Sequence, residues 1–511
     1  MPGLKQKVAK GAVWISLATL SNQVVHFLVS LVLARLLTPA DFGTVGMLSI
    51  FLVIASSLAT CGFGNALVQK KDAGDLEFNS VFYLVLAASC LCYAVLFLAA
   101  PWVARFYGVP VLKPILRVSA LTLIFSAVNS VQGAEVSRKM LFHLSFRVSL
   151  LTNAVSAAVG VALAYAGFGV WALVWASFCS GLTGVLAMWT IIAWRPKRMF
   201  SWNAARKLFS YGWKMTLSSL IHRVYSNLYG FLIGKVYTPA DLGYVSKGRS
   251  LPNLLMHTVD GPILGVSFPA LVQLQDDKAK MRDAMRRMIQ FTSFLVFPSL
   301  MGLAVCARPV MLLLYGNQWE PAIPYLVIAC FTWAVNPING INAMAISATG
   351  RSDVYLLLEI LKKGTGLVVM LLAIRHGVFA FMLSIAIVMS PFTILANMTA
   401  NGRILGYTPW MQLRDLLPST LMTVALSGAV WAVRLALRPW LLGFESRSAA
   451  YATELAVVVP LGATVYLSLA LAFRPRPLVE ACSLLQPIAQ KRCPPLARLM
   501  ARVLTENYPV K

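Results

Sequence analysis

Arg249, Asn253, His257 and Asp260 follow one another at steps of four, four and three inside a largely apolar run. On a helix that spacing places all four on one face. A guanidinium, an amide, an imidazole and a carboxylate on one stripe suit the binding of an anion and the handling of a proton. A hydrogen-bonded seam that fixes helix packing uses the same residue types, and both readings stay open. Lys247 precedes the stripe. Lys214, Ser218, His222, Tyr225 and Tyr229 form a second stripe with Arg223 beside it, and Lys214 sits where it can also snorkel to lipid headgroups. Glu359, Lys362 and Lys363 stand at i, i+3 and i+4, an arrangement that pairs one carboxylate with two ammonium groups and leaves one positive charge over. Asn336, Asn339 and Asn342 flank Pro337 and Gly340. Their amides suit sugar hydroxyls and equally suit a helix whose backbone groups need partners. Asn22, Gln23 and His26 form a smaller polar group near the N-terminal end.

The elements that must carry these residues are membrane spans. Of 511 residues 59% are apolar and 12% charged, too few charges to keep a soluble fold of this size in water. The apolar runs are about 20 residues long, enough to cross a hydrocarbon core of about 30 Å. The expected spans are 12–36, 43–65, 79–100, 113–133, 148–168, 170–194, 211–235, 244–272, 289–314, 322–348, 354–374, 377–400, 415–437 and 450–473. A short amphipathic surface helix is expected over Trp202–Ser210. Span 244–272 is expected to bend or unwind locally at Pro252, Gly261 and Pro262. The first apolar run is too long for the core of a cleavable signal. The tail from Arg474 to Lys511 is Pro-rich and basic and is expected to lie on the membrane or to be partly disordered.

Ionisable groups inside a span are costly, so their default reading is a transport pathway. The identifiable cations there, Lys214, Arg223, Lys247, Arg249, Lys362 and Lys363, all fall in the second half, and Asp260 and Glu359 are the anions beside them. The substrate-binding set read from these stripes is Lys214, Arg223, Lys247, Arg249, Asn253, His257, Asn336, Asn339, Lys362 and Lys363. Asp260 and Glu359 are the candidates for ion coupling. A basic cavity calls for an anionic substrate group, and an inside-negative potential favours its outward movement by about 2.3 kcal/mol per charge per 100 mV.

The net charge of +26 has a simpler cause than nucleic acid. Basic residues crowd alternate loops, among them Lys70 and Lys71, Arg195 to Lys207, Lys278 to Arg287, and the tail. The opposite loops hold nine: Arg35, Arg105, Lys113, Lys235, Arg308, Arg375, Arg434, Arg438 and Arg447. By the positive-inside rule both termini face the cytoplasm of an inner membrane, and the basic side attracts anionic membrane lipids. The eight Cys show no zinc spacing, and the chain has no Walker A loop. No metal, cofactor or enzymatic activity is expected. A membrane glycosyltransferase or O-antigen ligase would want a large outer loop, and the longest here is about 438–449.

An internal repeat sets the architecture. Thr38-Pro39-Ala40-Asp41-Phe42-Gly43 recurs as Thr238-Pro239-Ala240-Asp241-Leu242-Gly243, and Ala66-Leu67-Val68-Gln69 recurs as Ala270-Leu271-Val272-Gln273. Six spans separate the copies, so both run the same way through the membrane, as in transporters built from parallel repeats. The expected fold is an all-α integral membrane protein of about fourteen transmembrane helices. It comprises two six-helix lobes, 1–200 and 201–402, two further helices in 403–473, and the tail 474–511.

Phe63-Gly64-Asn65-Ala66-Leu67-Val68-Gln69-Lys70, Phe268-Pro269-Ala270-Leu271, Gln275-Asp276-Asp277 and Gly316-x-x-Trp319-x-x-Ala322-x-Pro324 carry a resemblance. The sequence from about Lys5 to Arg474 resembles the polysaccharide transport family of the multidrug/oligosaccharidyl-lipid/polysaccharide exporter superfamily, in its colanic-acid and teichuronic-acid exporter branch. The resemblance implies a flippase that moves undecaprenyl-diphosphate-linked repeat units from the cytoplasmic to the periplasmic leaflet, for lipopolysaccharide or exopolysaccharide synthesis. It implies proton or sodium coupling, a cationic cavity between lobes, and a polysaccharide polymerase and chain-length machinery as partners. A cation-coupled multidrug-type antiporter shares the fold and is the alternative.

Overall fold

A computed structural model describes residues 19, 21–70, 73–441, 443–444, 446–480, 482–483 and 486. The side chains of 65, 207, 211, 214, 215, 218, 257–266 and 441 fall outside that description, as does most of the basic tail. Among the described residues the chain is helical, with no strand. It forms two compact units that divide between Ser246 and Lys247.

The first unit contains α1 (Ser21–Leu36), α2 (Pro39–Thr60), α3 (Phe63–Gln69), α4 (Asp75–Tyr107), α5 (Leu112–Ser119) and α6 (Leu121–Arg138). It continues through α7 (Phe142–Tyr165), α8 (Val170–Ile191), α9 (Trp202–Val236) and the opening turns of α10 (Pro239–Gln273). The second unit takes the rest of α10, then α11 (Lys278–Val305), α12 (Ala307–Tyr315), α13 (Ile323–Ala334) and α14 (Asn336–Ala348). It ends with α15 (Ser352–Ala373), α16 (Val378–Ser384), α17 (Ser390–Leu405), α18 (Pro409–Leu441) and α19 (Arg447–Phe473). Ten of the described segments are long and apolar enough to cross a membrane.

Helix α15 shows which solvent this fold expects. Leu356, Leu357, Ile360 and Leu361 are each at least half exposed, whereas Lys362 is 6% exposed. In water that distribution would be upside down, because it leaves apolar area wet and removes a charge from its best solvent. It is favourable only where the surroundings are hydrocarbon. Each unit still has its own packed interior. In the first, Phe63, Leu67, Val81, Val85 and Val131 pack together. In the second, Met281, Met285, Ile289, Ile338, Ile341 and Met398 do so.

The sequence repeat is also a structural one. Thr38 caps α2 and Thr238 precedes α10 with the same reciprocal bonds. The Thr38 backbone N–H donates to Asp41 Oδ2 at 2.9 Å and the Asp41 N–H donates to Thr38 Oγ1 at 3.3 Å. The corresponding distances for Thr238 and Asp241 are 3.1 and 3.2 Å. This is a capping box with Asp in the place of the usual Glu, and Pro at the first helical position costs no donor the helix needs. The two motifs then pack on each other. A Cβ on Gly43 would overlap the Pro239 carbonyl, and a Cβ on Gly243 would overlap the Pro39 carbonyl. The repeat thus keeps glycine at both positions so that two backbones can touch.

Two expectations about local structure are revised. The amphipathic segment 202–210 does not form a separate surface helix but runs straight into α9. Helix α10 stays helical across Pro252 and Pro262 rather than unwinding. The interruption lies instead in the Asn-rich span, where α13 and α14 meet at Val335, two residues before Pro337. A five-residue π turn, Ile385–Met389, joins α16 to α17 and packs on α15. The Ser390 hydroxyl closes that turn on the Ile385 carbonyl at 3.0 Å.

Candidate functional site

The second unit contains a chain of polar side chains that runs through otherwise apolar helices. Glu359 on α15 accepts from Lys362 at 2.5 Å and from Lys363 at 3.4 Å. Lys362 also reaches Asn397 Oδ1 on α17 at 3.3 Å. The Asn397 amide donates to Asn339 Oδ1 on α14 at 2.7 Å. One turn further along α17, the Asn401 amide donates to the side-chain and backbone oxygens of Asn342, both at 2.9 Å. Asn342 in turn donates to Gln412 Oε1 on α18 at 3.0 Å, and Gln412 donates to the Tyr407 carbonyl at 3.1 Å. Tyr407 donates its hydroxyl to Asp415 Oδ2 at 2.7 Å, and Asp415 Oδ1 takes Arg286 at 2.5 Å and Gln290 at 3.1 Å.

Spacing explains why these helices present one polar edge. Asn397 and Asn401 are four apart, as are Glu359 and Lys363, so each pair lies on a single helix face. Amide pairs across membrane helices are worth about 0.6–2 kcal/mol each, so the amides mainly fix register between α14 and α17. The charges matter more. A Lys–Glu pair at about 4 Å and an effective dielectric of about 20 interacts by about 4 kcal/mol, comparable with the cost of about 3 kcal/mol for one charge at a helix centre. Glu359 therefore offsets roughly one lysine. With Lys362 7% and Lys363 26% exposed at the side chain, the group keeps one net positive charge in a mostly dry setting. The Arg286–Asp415 pair at the other end of the chain is neutral.

The remaining expected residues are placed as follows. Lys247 is 4% exposed and lies over the rings of Tyr315 and Trp319, 4.4 and 5.6 Å from their centroids, so aromatic faces share the work of holding its charge. Arg249 and Asn253 on α10 are half-buried. Arg223 on α9 is exposed and belongs to the first unit. Asn336 is exposed at the start of α14 and takes no part in the chain that holds Asn339. In the first unit Asn22 accepts from Asn153 at 2.6 Å, a bond between α1 and α7, while His26 is exposed. The side chains of Lys214, His257 and Asp260 lie outside the described residues. Asn397, Asn401, Gln412 and Asp415 were not expected from sequence. Their signal was present as an Asn-x-x-x-Asn step inside an apolar run and a Gln-x-x-Asp step at the start of the next. Among the described residues no three His, Cys, Asp or Glu side chains are placed to hold a metal ion.

The sequence pattern that defines the family described as polysaccharide biosynthesis protein matches residues 32–324, more than half of the chain. The chain belongs to that family. By sequence it is similar to the succinoglycan biosynthesis transport protein ExoT of Rhizobium meliloti (strain 1021), 26% identical over 319 residues. That match covers 62% of this chain and 65% of the relative, just under two thirds of its length. The teichuronic acid biosynthesis protein TuaB of Bacillus subtilis (strain 168) is 21% identical, with 69% of this chain and 74% of the relative covered. The lipopolysaccharide biosynthesis protein WzxC of Escherichia coli (strain K12) is 22% identical, with 70% and 73% covered. Among solved structures the fold is similar to the lipid II flippase MurJ in an inward closed conformation, with a TM-score of 0.70 and 12% identity, covering 90% of this chain and 98% of MurJ. An inward-facing multidrug resistance transporter of the MATE family gives a TM-score of 0.59 at 14% identity, covering 78% and 98%. These likenesses show that the chain shares its backbone fold with those two proteins.

Proposed function

We propose that this chain is a flippase that carries a lipid-linked oligosaccharide from the cytoplasmic to the periplasmic leaflet of the inner membrane, for lipopolysaccharide or exopolysaccharide synthesis. The observation that carries the reading is the dry, net-positive group of Glu359, Lys362 and Lys363 on a helix whose outer face is leucine. An uncompensated buried cation is retained where an anion visits it. A diphosphate headgroup supplies that anion, and the family membership and the named transport role of ExoT agree with the class of substrate. Glu359 has a second role in this reading. It holds both lysines until a phosphate oxygen replaces it, and a proton taken up at that moment would couple transport to a gradient. Lys214, Arg223, Lys247, Arg249, Asn253, His257, Asn336 and Asn339 remain the proposed contacts along the pathway, with Asp260 as a second coupling carboxylate.

The proposed fourteen crossings are the ten clear spans together with four helices that fall outside them. Ser21–Leu36, Trp202–Val236, Pro239–Gln273 and Ser352–Ala373 are the four, and the last three are those richest in polar residues. Low hydropathy is what a pathway-lining helix should have. With these included, an even number of crossings puts both termini on the cytoplasmic side, as the loop charges indicate. The proposed division into lobes 1–200 and 201–402, with two further helices in 403–473, follows the sequence repeat.

Reconstitution in vesicles tests the reading. A fluorescent undecaprenyl-diphosphate sugar placed in one leaflet should become accessible in the other, and a lipophilic cationic dye should not be moved. Transport of the dye with no movement of the lipid would assign the chain to the drug-antiporter branch instead.

A further inference from the structure

At the opposite end of the second unit from the basic first turns of α11, 278–287, a cavity of about 500 Å³ opens between α12, α18 and α19. Arg308, Arg434, Arg438 and Arg447 all line it. The positive-inside pattern explains basic residues on the other side of the membrane and disfavours them here. Nine lysines and arginines are assigned to this side by the loop charges, yet four of them converge on one pocket. Topology does not account for that concentration.

Two of the four have fixed partners. Arg434 Nε donates to Glu454 Oε1 at 2.5 Å, and a second nitrogen donates to the Val305 carbonyl. Arg308 pairs with Glu320 at 2.8 Å and stays more than half exposed. Arg438 and Arg447 form no ion pair among the described residues, and both are exposed at the mouth. Like charges brought to one pocket repel, and an oxyanion between them reverses the sign of that interaction. Planar guanidinium groups offer paired N–H donors that match phosphate oxygens.

The pocket wall identifies the bearer of the phosphate. Trp431, Leu435 and Arg438 stand at i, i+4 and i+7 on α18, so the arginine sits one turn beyond an apolar face. Trp431 is 59% and Leu435 46% exposed on a membrane helix, which places them against lipid chains, and tryptophan favours the interface below the headgroups. We propose that this pocket binds the phosphate of an outer-leaflet lipid, with its chains lying along Trp431 and Leu435. The site stands apart from the transport reading and does not depend on it.

The test uses the full-length protein in neutral detergent with a fluorescent-chain phosphatidylglycerol as probe. Unlabelled phosphatidylglycerol, undecaprenyl phosphate and inorganic phosphate serve as competitors, and their order tells a bulk lipid from a polyprenyl carrier. The double variant Arg438→Gln/Arg447→Gln should bind the probe about tenfold more weakly, the loss expected for one charge-assisted phosphate contact. Arg474→Gln/Arg476→Gln, with the same change in net charge at the other end of α19, should bind as the parent does. If the double variant does not fold, Arg447→Gln alone, at an exposed helix start, should show a smaller loss in the same direction. Parent-like affinity in the folded variants would overturn the proposal, and so would displacement of the probe by inorganic phosphate at the concentrations at which the lipids act.

Discussion

Replacing Glu359 by Gln should destabilise the protein far more than removing either lysine. The carboxylate is the shared partner of Lys362 at 2.5 Å and Lys363 at 3.4 Å, and Lys362 is only 7% exposed. Deleting one member of a buried pair leaves an unmatched charge and costs about 3–5 kcal/mol. Lys363, at 26% exposure, can turn its ammonium towards water, so the lower half of that range applies. Lys362→Met is a different perturbation, because it removes the buried charge itself. Glu359 loses its 2.5 Å partner but keeps Lys363, so no charge is left unmatched, and with the bond to Asn397 Oδ1 at 3.3 Å also gone the loss is about 1–2 kcal/mol. The double variant Glu359→Gln/Lys362→Met should therefore recover most of what Glu359→Gln loses. Unfolding free energies from dodecyl sulfate titration, read by helical circular dichroism, give the full cycle. Equal and additive losses in the two single variants would mean that water already screens these charges, and the argument for a dry cationic group would fail.

Other consequences are open to the same assay. Gly43→Ala and Gly243→Ala should each cost about 1–3 kcal/mol, since an added methyl meets the carbonyl of Pro239 or Pro39 and must push two backbones apart; parent-like stability would show that α2 and α10 are not in contact there. Thr38→Ala and Thr238→Ala should each cost about 1 kcal/mol and the Ser variants much less, because Ser restores the capping oxygen; no difference between Ala and Ser would remove the capping box from the account. Asn342→Leu should cost about 1–3 kcal/mol by leaving the buried Gln412 Oε1 without its donor and taking one of the acceptors of Asn401, while Asn336→Leu at its exposed position should be near neutral.

The membrane class and the helical repeat were legible in the sequence because both rest on local composition and on near-identical words such as Thr-Pro-Ala-Asp. The Glu359–Lys362–Lys363 group was legible for the same reason, since its members are one turn apart. Its continuation was not. Asn397 and Asp415 meet their partners across 35 and 129 residues of chain, and a single sequence does not reveal which helices are neighbours. Proline did not unwind α10, where helix persists across Pro252 and Pro262, whereas Pro337 lies just beyond a real interruption at Val335. A helix lacking one donor can still be held by its packing, and packing is a tertiary fact. Gly43 and Gly243 were visible as letters, but the reason for them appears only when the two motifs touch.

The central claim is that the Glu359–Lys362–Lys363 group, with one positive charge in surplus, recognises the anionic headgroup in transit, with the Lys362 ammonium as a contact. Single-turnover movement of an undecaprenyl-diphosphate sugar across vesicle membranes tests it most directly, with the parent, Lys362→Arg and Lys362→Gln compared at matched folded fraction. The account predicts that Lys362→Arg stays close to the parent rate while Lys362→Gln falls by about tenfold or more, the loss of one charge-assisted contact of about 1.4 kcal/mol. A Lys362→Gln protein that moves the lipid at the parent rate would contradict it.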